Sequence, residues 1–165
     1  MEKSAVSLTI FMGVSGCGKT TVAKEYARVC KIQFYDADDF HSNQAKSHMA
    51  KGLPLTDNMR EPWIKKMVDE ISLALKDGQS CTLAYSGLKS SQRMAFLSID
   101  ASVTFIHLTL PIAETQKRVR SRNQHFFPAH LVQSQYDSLE SEANGETLIE
   151  IDATQTVDEI VHQLL

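Results

Sequence analysis

Residues 13–20 read G-V-S-G-C-G-K-T, which fits G-x-x-x-x-G-K-[ST], the spacing of a phosphate-binding loop. Glycines let successive backbone N–H groups converge on one phosphate. Lys19 brings a point charge to the outer phosphates, and the Thr20 hydroxyl is placed to hold a magnesium ion. The N-terminus of the next helix adds its dipole. A second constellation is Asp36-Ala37-Asp38-Asp39-Phe40-His41. Asp36 is suited to be an outer, water-mediated metal ligand with Thr20. Asp38 can accept or orient a hydroxyl proton, and His41 stands three residues on. The alternative for Asp38 and Asp39 is that they cap the helix that follows.

Arg60 is a cation near a helix start, a poor place by dipole. Its fork suits a carboxylate, and a surface salt bridge is the plainer reading. Trp63, the single tryptophan, reads as core before it reads as a substrate platform. Ser86-Gly87-Leu88-Lys89, followed by Arg93, forms a third polar edge where Gly87 permits close approach of a ligand. The most basic stretch, residues 117–128, reads as a lid whose arginines reach phosphate on closure.

These residues need a scaffold that gathers them. Residues 7–12 form a short apolar run, and residues 18–30 have helical spacing with Val22, Ala23, Tyr26 and Ala27 on one face. Further strands are expected at 33–35, 80–85, 103–108 and 147–151. Helices are expected at 39–51, 57–76, 90–97, 111–122, 131–139 and 157–165. Asp57 is the expected cap of the third helix, with Trp63, Met67, Ile71 and Leu75 as its apolar face. Alternating strands and helices predict a three-layer α/β/α domain over residues 1–165, with a five-stranded parallel sheet and a lid at about 118–130. Ligands bind beyond the C-terminal strand ends of such sheets. The polar clusters fall there, Asp152–Thr154 after the last strand among them.

The 165 residues suit one domain with a sizeable core. Seventeen Lys and Arg against 20 Asp and Glu leave a net charge of −3. A nucleic-acid partner therefore gets no electrostatic support. No apolar run reaches a membrane span of ~20 residues. Residues 1–6 lack a signal-peptide core, so a cytoplasmic protein is expected. Three cysteines without C-x-x-C spacing argue against a disulfide framework or a zinc site. Cys17, at a helix N-terminus, would be the reactive thiol if exposed and a small filler if turned inward.

Several ordered motifs resemble the gluconokinase family, within the shikimate- and nucleoside-monophosphate-kinase group of P-loop kinases. They are F-M-G-V-S-G-C-G-K-T-T-V-A, D-A-D-D-F-H, M-A-K-G-L-P-L-T-D-N-M-R-E-P-W, S-G-L-K-S-S-Q-R and H-F-F-P-A-H-L-V-Q-S-Q-Y-D-S-L-E, spread from residue 11 to 140. The resemblance implies phosphorylation of D-gluconate at O6 with ATP and Mg²⁺ by a homodimer. It implies that Gly13, Val14, Ser15, Gly16, Cys17, Gly18, Lys19, Thr20 and Thr21 hold ATP with Arg118. It places Asp38, His41, Arg60, Ser86, Gly87, Leu88, Lys89, Arg93 and Gln135 around the sugar acid. Lys19, Asp38 and Arg122 would be catalytic, and Thr20 and Asp36 would serve the metal. Ser42, Ala45 and His48 stand where the family has Pro, Asn and Lys. Met59 replaces an acid and Gln92 a tyrosine. These departures gather on the acceptor side, which leaves a shikimate-like or other sugar acid as the alternative substrate. A nucleotide-binding sensor without turnover is disfavoured by the intact Lys19, Thr20, Asp36 and Asp38.

Overall fold

The computed structural model describes residues 5–53, 55–121 and 129–165. Strand β1 (Ser7–Met12) is apolar on both faces and buried along nearly its whole length, as a central parallel strand must be. It lies between β3 (Cys81–Ala84) and β4 (Ser102–Thr109). Strand β2 (Gln33–Asp36) pairs with β3, and β5 (Leu148–Asp152) with β4. The five-stranded sheet runs β2-β3-β1-β4-β5, and every pairing is parallel.

Helices cover both faces. On one face α3 (Asp57–Lys76) sinks Met67, Ile71 and Leu75 against Leu8, Ile10, Leu83 and Phe105, with Trp63 partly buried beside them. On the other, α1 (Lys19–Cys30) and α7 (Val157–Leu164) pack Val22, Ala23, Ile160 and Val161 against Phe11, Ile106 and Leu108. Each of the larger apolar side chains contributes on the order of 1.5–3 kcal/mol relative to exposure. The remaining helices are α2 (Asn43–Ala50), α4 (Ser90–Met94), α5 (Ile112–Ser121) and α6 (Ala129–Ser138).

Several details differ from the sequence expectation, and side-chain caps explain those around α2 and α3. The stretch expected as one helix over 39–51 is two elements. The Asp36 carboxylate accepts the Asp38 N–H and starts a 3-10 turn over Ala37–Phe40. The Ser42 hydroxyl then accepts the Ala45 N–H and starts α2 afresh. Asp39, weighed as a cap, caps nothing. The helix expected at 90–97 stops at Met94, and a 3-10 turn covers Ala95–Ser98. Thr56, not Asp57, caps α3 by accepting from Met59 N–H. The expected lid at 118–130 begins on α5 and ends on α6; residues 122–128, Arg122 and the two phenylalanines included, lie outside the described residues. No helix among the described residues is long and apolar enough to cross a membrane.

Candidate active site

The strand order reverses between β1 and β3. Their C-terminal ends carry the glycine-lysine loop and the Ser86–Lys89 segment side by side. The Gly13 N–H donates to the Ser86 carbonyl at 3.2 Å, so the two loops are joined by backbone. Gly13, at φ 148°, has no room for a side chain. A Cβ there would stand 2.8 Å from Cys17 Sγ and 3.0 Å from the Leu108 carbonyl. Gly16 and Gly18 adopt φ 83° and 93°, the left-handed region that glycine favours. Gly18 caps α1 without any side-chain bond, so the first N–H groups of that helix are not capped by a side chain. The Lys19 ammonium folds back to the Val14 carbonyl at 3.4 Å.

Cys17 is 2% exposed, with its sulfur packed toward Gly13. This overturns the reactive-thiol expectation: Cys17 serves the loop through its backbone and fills space with its side chain. Cys81 is also buried, which pushes its thiol up to about 11, and all three cysteines are free.

The Thr20 hydroxyl donates to Asp36 Oδ2 at 3.3 Å, while Asp36 Oδ1 accepts the Asp38 N–H at 3.0 Å. One carboxylate thus ties the phosphate loop to the turn that carries Asp38. Trp63 holds that turn from the other side, its indole N–H donating to the Ala37 carbonyl at 2.8 Å. His41 stacks on Trp63 with ring centroids 4.2 Å apart, and Trp63 meets Tyr85 edge-on at 5.6 Å. Trp63 is therefore both core and wall.

The Asp38 side chain is 87% open on its own surface. Reduced solvation, and then the Asp36 charge, hold its pKa above the usual carboxylate value, against the pull of His41 and Lys19. Burial holds the His41 imidazole below its ordinary pKa. Its Nε2 lies 3.7 Å from Asp38 Oδ1, too far for a hydrogen bond, and its buried Nδ1 has no hydrogen-bond partner among the described residues.

The other assigned residues divide. Arg60 pairs with Asp57 at 3.3 Å on the rim, near enough for its charge to act on Tyr85. Arg118 bridges the Gly16 carbonyl at 3.3 Å and the Ala153 carbonyl at 3.0 Å, joining the phosphate loop to the turn after β5. Thr20 and Thr21 line a cavity of about 460 Å³ with Lys24 and Val157. A larger cavity, about 790 Å³, lies at the opposite strand ends and contains none of the motif residues. Ser86 and Lys89 stay on the open edge.

Three acceptor-side assignments need correction. Leu88 is 8% exposed, its side chain packed in the α1–α7 core. Arg93 is 0% exposed. Its guanidinium bonds Glu146 and the carbonyls of Gly87, Leu88, Glu140 and Ser141, and its complete burial keeps it from a ligand. It builds the edge instead of facing it. Gln135 touches Ser15 of the phosphate loop, not the acceptor edge. Sequence reading missed Glu146, the buried partner of Arg93. Its signal was only a carboxylate beside the Gly145 turn.

No cluster of three His, Cys, Asp or Glu side chains able to hold a metal occurs among the described residues. The Thr20–Asp36 pair still fits magnesium, which takes one or two protein oxygens and completes its shell with water and phosphate.

A profile described as an AAA domain matches residues 8–142. The gluconokinase of Arabidopsis thaliana is 34% identical over 168 residues, covering 93% of this chain and 88% of that protein. An unliganded sugar kinase from Janibacter sp. HTCC2649 superposes with a TM-score of 0.89 at 34% identity, covering 97% of this chain and 92% of the other. A gluconokinase from Sinorhizobium meliloti 1021 gives a TM-score of 0.84 at 28% identity, with coverage of 98% and 90%. With a strand-end site built as described and kinship along nearly the whole length, the chain belongs to the gluconokinase family.

Proposed function

We infer that the protein transfers the γ-phosphoryl group of ATP to the O6 hydroxyl of gluconate, giving 6-phosphogluconate and ADP. The observation that carries this reading is the convergence on one edge of a phosphate loop, its Thr20–Asp36 pair and an exposed carboxylate, Asp38, whose pKa is raised. The curated relatives support gluconate as the acceptor.

The residues divide the work. Residues 13–20 bind the phosphates through backbone N–H groups and the uncapped start of α1. Lys19 steadies the charge that develops on the moving phosphoryl and on the leaving ADP oxygen. Asp38 orients the acceptor hydroxyl and takes its proton as the new O–P bond forms and the β–γ bridging bond breaks. A raised pKa strengthens Asp38 as a base. Arg60 and Lys89 are the cations on the rim able to meet the sugar-acid carboxylate. Thr20 and Asp36 would hold Mg²⁺, which when bound would supply charge neutralisation for the phosphates. Arg118 stands where it can flank the nucleotide, between the phosphate loop and the turn after β5.

The test is a coupled assay of ADP release with gluconate, other sugar acids, shikimate and nucleoside monophosphates. Turnover with gluconate at a kcat/KM at least tenfold above every other acceptor is expected. A preference for another acid would keep the kinase and replace the substrate. ATP binding without turnover on any acceptor would leave a sensor.

A further inference from the structure

Gln135 reaches from α6 to the phosphate loop across 120 residues of sequence. The Ser15 N–H donates to its Oε1 at 2.7 Å, and its Nε2 donates to Ser15 Oγ at 3.1 Å. The same peptide unit is gripped from its other end. The Val14 carbonyl accepts from Lys19 Nζ at 3.4 Å and from the Cys17 N–H at 3.2 Å. A peptide unit is planar and stiff, so fixing its N–H fixes the direction of its C=O.

We propose that Gln135 is a positioning residue of the phosphoryl donor site: it sets the plane of the Val14–Ser15 peptide and, through the Val14 carbonyl, the stand of the Lys19 ammonium. The inference rests on the kinase reading and assigns Gln135 to the donor, not the acceptor. The helix that presents Gln135 is firmly seated. Val132 is fully buried, and the Tyr136 hydroxyl bonds the Leu110 carbonyl and lies 2.6 Å from Thr115 Oγ1. Beyond the helix, the Glu140 N–H donates to the Leu88 carbonyl at 2.7 Å. Gln135 thus transmits the position of a packed helix to a loop whose glycines would otherwise leave it free to turn. A displacement near 1 Å at a reacting charge can cost up to about a hundredfold in rate, far more than one neutral hydrogen bond contributes to stability.

Gln135→Leu keeps bulk and removes both hydrogen bonds. It should lower kcat about tenfold or more and raise the KM for ATP, with the KM for gluconate within about twofold. A residue that merely braces the fold would lower Tm and leave kcat and the KM for ATP unchanged; that outcome overturns the proposal. Amide hydrogen exchange at Ser15, followed by NMR without any acceptor, provides a second readout. The Ser15 amide should exchange slowly in the wild type and in Gln135→Glu, which keeps an acceptor oxygen, and quickly in Gln135→Leu. A wild-type Ser15 amide exchanging at the rate of an open peptide overturns the proposal even if Gln135→Leu does not fold. Wild-type protein inactive on gluconate, yet with Ser15 protected and AMP-PNP affinity weakened by Gln135→Leu, would strike the substrate reading alone.

Discussion

The donor and acceptor halves of the site are built in different ways. The donor half is eight consecutive residues, 13–20, whose shape comes from three glycines and the start of α1. The acceptor half is gathered from the turn after β2, the start of α3 and the loop after β3. Its edge is held by the buried Arg93, whose partner Glu146 is 53 residues away. Ser42, Ala45, His48, Met59 and Gln92, where the sequence reading expects this chain to depart from the family motifs, all fall in or beside the acceptor half. At one of these positions the Ser42 hydroxyl caps α2, accepting the Ala45 N–H at 3.1 Å. A contiguous loop leaves little freedom without losing phosphate binding. An assembled pocket can alter one wall while the others stand.

Substitutions can separate the halves. The largest effect should come from Asp38→Asn, which keeps shape and removes the proton acceptor. Its kcat should fall by roughly 10²–10⁴-fold with little change in the KM for ATP. A loss under about tenfold in steady-state assays would make Asp38 a turn-former only. Next is Glu146→Leu. It strands a buried guanidinium and should cost about 3–5 kcal/mol in urea unfolding. An unchanged midpoint would mean the acceptor edge does not depend on its distant tie. Lys19→Ala should lower kcat by about 10²–10³-fold with Tm preserved, since the side chain faces phosphate and not core.

Arg60→Ala should raise the KM for gluconate about tenfold or more, the scale of one charge-assisted bond, and leave the KM for ATP alone. An equal rise in both would dissolve the division between halves. The smallest effect concerns pH. Reduced solvation and the Asp36 charge raise the Asp38 pKa, and a base works only when ionised. The acid limb of kcat/KM should therefore lie above the ordinary carboxylate range. Asp36→Asn removes a negative neighbour, so the limb should move to lower pH. A shift upward would contradict the assignment.

What sequence alone determined about this protein is what neighbouring residues can build between themselves. The phosphate loop and the buried stripe of α3 depend on spacing within a few residues, and each stands where its pattern put it. The caps of α2 and α3 are Ser42 and Thr56, where the acids Asp39 and Asp57 were the expected ones. Only the tertiary structure decided the fates of Cys17, Leu88, Arg93 and Gln135. A side chain's type says what it can bond. Whether it meets solvent, core or a loop 120 residues away depends on which segment the chain lays beside it. For Arg93 that segment is the stretch after α6, whose carbonyls and Glu146 occupy the guanidinium that spacing alone would have offered to the substrate.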